Sequence, residues 1–222
     1  MTEPRQDWTY DQRLNNGRGA YRDAATGRVI SFDRATELIN QSIDRTREDV
    51  TIQINTMLDN GQMSAADWQA AMAQTIKDAY IQQAELAAGG RDNMTQADWG
   101  VVGGAVREQY NYLNGFAQEI ADGKLSLGQI QMRSDMYINS AREAYWRIKE
   151  RQVKKQGFDS ERWITAGDDR VCPTCLEAGQ MGWVKIGTFA PPGSGVVRLN
   201  PRTNCYALTN CRCTLEYRKT GE

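Results

Sequence analysis

The sequence contains no histidine and no long apolar run. Because histidine is absent from all 222 residues, Ser-His-Asp and Cys-His catalysis, imidazole general bases and His-ligated catalytic zinc are excluded. No window approaches the run of about 18 apolar residues that a membrane span needs. The start of the chain, residues 1–7, is too polar for a signal peptide. We therefore expect a protein with no membrane partner that is kept in a reducing cytosol.

Net charge is also nearly absent, but the charges are unevenly placed. The 27 basic and 28 acidic residues give a net charge of −1, unlike a chain that binds nucleic acid over its whole surface. Residues 151–222 hold eleven Lys and Arg against seven Asp and Glu, an excess of +4, so residues 1–150 carry −5. All five cysteines lie in the basic part, at positions 172, 175, 205, 211 and 213. The pattern indicates an acidic body followed by a cysteine-bearing module.

Apolar residues recur at helical spacing throughout the acidic body. The spacing predicts four helices: from Ser31 to Asn60-Gly61, from Ser64 to Gly89, from Thr95 to about Ile120, and from Ser126 to Gly157. The first stripe, formed by Ile39, Ile43, Val50 and Ile54, offers a surface for helix-in-groove contact with a partner. Before this body, residues 1–30 are rich in Gly and Arg and poor in strand formers, which predicts an extended N-terminal arm.

Two of the helix starts repeat one phrase. Met63-Ser-Ala-Ala-Asp-Trp68 recurs as Met94-Thr-Gln-Ala-Asp-Trp99. Two copies are too few for a solenoid, which needs at least three units to bury a continuous face. We interpret each copy as a Ser/Thr-x-x-Asp helix cap followed by a tryptophan that enters the core.

The cysteine spacing is typical of a structural zinc site. Cys172-Pro-Thr-Cys175 has the C-x2-C spacing of a zinc knuckle, and a second pair can come from Cys205, Cys211 and Cys213. A thioredoxin-like redox pair is disfavoured, because it needs a helix after the motif and glycines and prolines follow instead. Disulfides are disfavoured by the expected reducing compartment.

A site of four thiolates has no open coordination position, so its metal is structural rather than catalytic. Its charge would be −2, and Arg170 and Arg212 stand next to the motifs, where they offset part of that charge. Asp168 and Asp169 are expected to form a turn and a salt bridge with Arg170 near the knuckle. The sequence thus predicts a mainly α fold. It has a long-helix body at residues 31–157 and a small α+β module of zinc-knuckle or ribbon type at residues 158–222.

At these residues the sequence resembles the phage head-morphogenesis family, the minor capsid proteins similar to the F protein of phage Mu. The resemblance rests on the order Trp163, Asp168-Asp-Arg-Val-Cys-Pro-Thr-Cys175, a Gly/Pro-rich spacer and Asn210-Cys-Arg-Cys213, with Ser140-Ala-Arg-Glu-Ala144 upstream. It covers about residues 135–217. Family members often carry a histidine shortly before the Asn-Cys-Arg-Cys element, where this chain has Leu208 and, farther upstream, Cys205.

The resemblance implies a minor structural protein of a tailed-phage head, assembled in the host cytoplasm and carried in the virion. Such proteins contact the portal or the major capsid protein, lie near packaged DNA and are not enzymes. The resemblance further implies that Cys211 and Cys213 complete the zinc site with Cys172 and Cys175. Cys205 is the alternative fourth ligand.

Two other functional classes remain open on the residues alone. A zinc-ribbon protein that binds nucleic acid would use the basic run Arg147, Lys149, Arg151, Lys154 and Lys155 to contact phosphates. The simpler interpretation is that these side chains complement the dipole at a helix C-terminus. A metal-dependent hydrolase would use Asp168 and Asp169, with Glu177 as a third carboxylate. Adjacent aspartates on a strand, however, point to opposite faces and make a poor acid–base pair.

Overall fold

The computed structural model describes residues 8–11, 20–24, 26–194, 196–197, 203–204 and 208–220, and it is mainly helical. The five long helices of this described part are α1 Phe32–Asp49, α3 Ala65–Ala88, α4 Gln96–Ala121, α5 Leu127–Ser140 and α6 Arg142–Lys155. A three-stranded antiparallel sheet lies near the C-terminus, beside a cluster of cysteines. The predicted fold class is therefore confirmed.

The predicted helix starts are confirmed at atomic detail. Ser31, Ser64, Thr95 and Ser126 are the four N-caps, and each side-chain oxygen accepts the backbone N–H of the residue three positions on. These bonds satisfy donors that have no partner within the helix itself. Helix α3 ends at Gly89, which adopts a φ of +88° that side chains rarely tolerate.

Two predicted helices are interrupted in the structure. The first run continues from α1 into a π-helical segment, Val50–Asn55, and a short helix α2, Thr56–Asp59. The fourth run is divided into α5 and α6 at Ala141. Next to the break, the hydroxyl of Ser140 donates to the carbonyl of Tyr137 and accepts a hydrogen bond from the hydroxyl of Tyr80. A serine that bonds back to its own helix competes with the regular ladder, and this accounts for the break.

The core lies where α3 packs against α4 and α6. Trp68 is fully buried there, edge-on to Phe116, and its indole N–H donates to Asn55. Ile39 and Ile43 of the first predicted stripe, together with Val50, are buried in this same core. The expectation that this stripe docks onto a partner is therefore wrong, since its side chains pack inside the protein itself. Among the described helices, none has the length and apolar character needed to cross a bilayer.

The N-terminal lead contains strands rather than only an extended arm. Within its described residues, β1 Trp8–Asp11 pairs antiparallel with β2 Ala20–Asp23. The hydroxyl of Tyr21 donates to the carbonyls of Glu85 and Leu86 at the end of α3. The arm prediction relied on composition, and composition carries no information on such a long-range contact.

The C-terminal module is built around the sheet β4-β3-β7, formed by β3 Ser160–Ile164, β4 Val184–Lys185 and β7 Thr214–Arg218. Its other described elements are α7 Pro173–Gln180, the pair β5 Val196–Val197 and β6 Thr203–Asn204, and a 3-10 turn at Leu208–Asn210. Trp163 and Leu215 of the sheet belong to the same buried cluster as the helices. The boundary at residue 157 stays a prediction.

Glu161 is a buried carboxylate that holds the loop after β4. Its Oε1 accepts the backbone N–H groups of Gly187 and Phe189 at 3.0 and 2.9 Å, and its Oε2 has no partner within the described residues. Burial, with a smaller contribution from the charge of Glu150, raises the pKa of Glu161 from 4.5 to about 7. The neutral acid is therefore the form that the fold favours.

We expect this carboxyl to make stability fall as pH rises. Between pH 4.5 and 7 the folded chain keeps a proton that the unfolded chain has released, so the free energy of unfolding decreases through that window. Glu161→Gln removes the charge and keeps an acceptor oxygen for the loop. Thermal unfolding followed between pH 5 and 8 should show a smaller pH dependence for this variant than for wild type. An unchanged dependence would contradict the assignment.

Asp98 connects the start of α4 with the end of α6. It completes the capping box with Thr95, and its carboxylate, fully buried, lies 2.6 Å from Arg151 and 3.7 Å from Lys155. Although burial opposes ionisation, the hydrogen bonds from Thr95 and Arg151 outweigh it and lower the pKa of Asp98 to about 2. In the first copy of the repeated phrase, Asp67 is exposed and bonds only within its own cap.

The two aspartates form a matched pair for mutation. Asp98→Ala should lower the free energy of unfolding by about 2–4 kcal/mol, because it removes both a cap and a buried ion pair. Asp67→Ala should cost less than about 1 kcal/mol. Urea unfolding at pH 7 measures both values. The difference between the two variants should shrink as pH falls from about 4 to 2, where Asp98 becomes protonated.

Candidate metal centre

Three buried cysteines gather at one end of the sheet. The thiols of Cys175, Cys211 and Cys213 all lie within 4.8 Å of one another, in an arrangement that can hold a metal ion. Thiolates bound to one tetrahedral zinc ion, with Zn–S bonds of about 2.3 Å, would be separated by about 3.8 Å. The three sulfurs are therefore close to coordinating distance without any rearrangement of the backbone.

Cys172 and Cys175 are positioned by the start of α7. Cys172 is the N-cap of this helix and Pro173 occupies the first turn, where its missing N–H costs nothing. The backbone N–H of Cys175 donates to the carbonyl of Cys172 at 3.0 Å, which brings their Sγ atoms to 3.1 Å. The four described cysteines are free thiols.

A helix therefore follows the C-x2-C motif, and the strand β3 precedes it. Our sequence argument against a redox pair is wrong on this point, because the first glycine after the motif, Gly179, is accommodated inside α7. A Cβ at Gly179 would come within 3.1 Å of Thr165, so glycine permits α7 to pack against the end of β3. The gathering of Cys211 and Cys213 beside the motif is what favours metal binding over a redox pair.

The pairing of β3 with β7 brings the second half of the cluster into place. The ladder runs from Ser160 opposite Arg218 to Ile164 opposite Thr214. Cys213 comes directly before β7, and Cys211 follows the 3-10 turn at Leu208–Asn210. Both cysteines therefore lie in the segment that leads into the strand, and this segment places their thiols.

The surroundings of Cys213 favour a thiolate. Hydrogen bonds from the thiols of Cys175 and Cys211 lower its pKa to about 3, with further help from the backbone N–H of Ala166 and the indole of Trp163. Trp163 is buried, and its N–H has no regular hydrogen bond among the described residues. Because metals bind cysteine as thiolate, this environment suits a ligand.

Asp168 links the two cysteine-bearing loops. Its Oδ2 lies 2.6 Å from Nη2 of Arg212, and its Oδ1 accepts the backbone N–H of Arg170 at 3.0 Å. The ion pair thus connects the loop before Cys172 with the Cys-Arg-Cys turn. The side chain of Asp169 is exposed and makes no hydrogen bond or ion pair among the residues that the structure describes.

Cys172 is the fourth described cysteine at the cluster, and Cys205 remains the alternative to Cys213. Cys172 is outside the mutual 4.8 Å triad but is adjacent to Cys175, and it lines the same cavity of about 210 Å³ as the other three described cysteines. Cys205, the alternative ligand, lies outside the described residues. The geometry therefore brings four of the five cysteines to one cavity.

The basic run that the nucleic-acid alternative would use is largely paired within the protein. Arg147 pairs with Glu143 and Lys154 with Glu150, while Arg151 and Lys155 both approach Asp98. Burial lowers the pKa of Lys149. These side chains stabilise the helical body and do not form a free basic face.

Sequence reasoning missed the polar residues next to the cysteines. Arg142 and Asn139 lie at the α5–α6 junction, and Asn210 precedes Cys211; all three border the same region. Arg142 lies in the Ser140-Ala-Arg-Glu-Ala144 stretch, but a basic residue inside a helical run carries no signal of its own burial. Comparison with protein-family models, curated proteins and solved structures finds no match for this chain. The family resemblance therefore stays a prediction.

We expect the reduced full-length chain to retain about one metal ion, held by thiolates. Cys175→Ser should lose the metal, because Cys175 belongs to the triad and also contacts Cys172. The apo module should then be cut by protease within residues 158–222, since the metal no longer ties its loops together. Elemental analysis and limited proteolysis measure the two effects.

Cys205→Ser and Cys213→Ser form the control pair for the fourth ligand. We expect Cys213→Ser to release the metal and Cys205→Ser to retain it. Full metal content in Cys175→Ser would rule out the centre altogether. Metal loss in Cys205→Ser together with metal retention in Cys213→Ser would assign the fourth ligand to Cys205 instead of Cys213.

Proposed function

We propose that this chain is a minor structural protein of a tailed-phage head that associates with the portal or the procapsid and aids head assembly or DNA delivery. The observation that supports this is the meeting of the two motif halves. Asp168, the C-x2-C pair and the Cys-Arg-Cys turn carry the resemblance, and they come together around one buried cluster. If these residues are shared with a family because they build one structural site, they are expected to lie close together in the fold.

The metal in this proposal is a structural zinc ion held by Cys172, Cys175, Cys211 and Cys213. Four thiolates leave no position for water or substrate, so the ion would stabilise the fold. The module is small, and its β4, β5 and β6 strands have two residues each. Metal binding would supply stability that such short elements do not provide.

The described surface suggests where a head protein would dock. The stripe predicted from the sequence is buried, but Ile52 of the π-helical segment is 67% exposed and Met57 of α2 is 38% exposed. Two exposed apolar side chains on one irregular helical segment offer a candidate contact surface. We assign the contact with head proteins to the segment that carries Ile52 and Met57. The internal pairing of the basic run favours this role over the nucleic-acid alternative.

Co-expression of this chain with phage portal and capsid proteins tests the proposal. The wild-type chain should co-purify with the portal or with procapsids. Ile52→Asp combined with Met57→Asp should reduce incorporation by about tenfold or more, because a charge in an apolar contact is strongly disfavoured.

Leu176→Asp is the matched control, since Leu176 is an exposed apolar residue on α7 of the module. Normal incorporation of this control with loss in the double variant supports the assignment. Loss in the control alone would transfer docking to the zinc module. A wild-type chain that never enters procapsids would contradict the proposed function.

A further inference from the structure

A cleft of about 410 Å³ opens between α1, the α5–α6 junction and the loops that carry the cysteines. Its lining contains four arginines: Arg47, Arg142, Arg170 and Arg212. Among the described residues that line it, Asp44 is the one carboxylate. Four positive charges in one concave site are unfavourable unless something negative balances them.

Arg142 is the most informative of the four. Its side chain is buried, with 7% of the residue exposed, yet it forms no ion pair within the described part of the chain. Its Nε donates to Oδ1 of Asn40 at 3.2 Å and its Nη1 to Oδ1 of Asn139 at 3.3 Å. The amide of Asn139 is itself oriented by donating to Asn210. Neutral amides thus hold the guanidinium in place without neutralising its charge, and Nη2 takes part in none of these bonds.

The other three arginines are only partly neutralised. Arg212 is paired with Asp168 at 2.6 Å. Arg47 lies 3.5 Å from Asp44 and 4.0 Å from Asp135, both of which are loose contacts. Arg170 forms no ion pair among the residues that the structure describes. The cleft therefore retains an excess of positive charge.

The thiolates of the metal centre do not account for all of this charge. Arg170 and Arg212 line the cysteine cavity as well as the cleft, so they are placed to balance the thiolates. Arg47 and Arg142 line only the cleft. Arg142 interacts with the charges of Asp44 and Cys211 only through longer-range electrostatics and has no ion-pair partner among the described residues. A buried charge without a directly bonded counter-charge costs several kcal/mol.

We propose that this arginine cleft binds a phosphate group. A guanidinium presents two parallel N–H donors that match two phosphate oxygens, and a phosphate would neutralise Arg142 and Arg170 together. The phosphate belongs either to a small phosphate compound or to the backbone of a nucleic acid, and both offer the same oxygens. The site depends only on the charges of this chain and not on a role in a virion.

Binding of inorganic pyrophosphate and of a short single-stranded DNA to the full-length chain tests the site. Calorimetry measures the first and fluorescence anisotropy the second, both at low salt. Arg170→Ala should weaken binding by about tenfold, because a charge-assisted contact is lost. Arg142→Gln should weaken it at least as much. Arg107→Ala is the matched control, since Arg107 is exposed on α4, away from the cleft.

Metal content and circular dichroism establish that the variants are folded. Arg170 is exposed, so Arg170→Ala remains informative even if Arg142→Gln fails to fold. Pyrophosphate binding that depends on Arg170 supports the site with a small ligand. DNA binding that depends on Arg170 and is not matched by pyrophosphate supports it with a nucleic acid. Binding of neither probe, or equal weakening by Arg107→Ala, would overturn the proposal.

Discussion

The antiparallel pairing of β3 with β7 is the contact on which the C-terminal chemistry depends. It joins segments about fifty residues apart in sequence, in register from Ser160 opposite Arg218 to Ile164 opposite Thr214. At the end of the ladder, β3 continues into the loop that leads to Cys172, and β7 begins directly after Cys211 and Cys213. The metal cluster lies at this end, and the same register brings Arg170 and Arg212 to the arginine cleft, whose other side is formed by α1 and the α5–α6 junction.

Features encoded within a few residues could be predicted from the sequence. Helix starts depend on a cap and its third neighbour, and the four N-caps were correct for that reason. The cysteine cluster could be predicted because C-x2-C is a local geometric unit. The helix after it was missed because Gly179 argues against a helix by propensity. Its close approach to Thr165, a tertiary contact, outweighs that local cost.

Other features depend on partners far away in sequence and leave no local signal. Asp67 and Asp98 occupy the same place in a repeated phrase, yet one is exposed and the other is buried against Arg151. The hydroxyl of Ser140 beside the break at Ala141 accepts a hydrogen bond from Tyr80 on another helix, a contact that leaves no local signal. Counting charges along the sequence shows a positive excess in residues 151–222. It could not show that carboxylates of α4 and α6 pair with the bases of α6, while arginines from distant segments converge on a cleft.

The contact of Tyr21 with the end of α3 bears on where the folded unit begins. The carbonyls of Glu85 and Leu86 accept the backbone N–H groups of Gly90 and Gly89, and the hydroxyl of Tyr21 from the N-terminal strand pair adds a further donor there. Asp23 of the same strand also receives Arg34 from the first turn of α1. A shortened chain starting at Ser31 would lose both the Tyr21 contact with α3 and the Asp23–Arg34 ion pair. The N-terminal boundary of an engineered version therefore belongs upstream of residue 20.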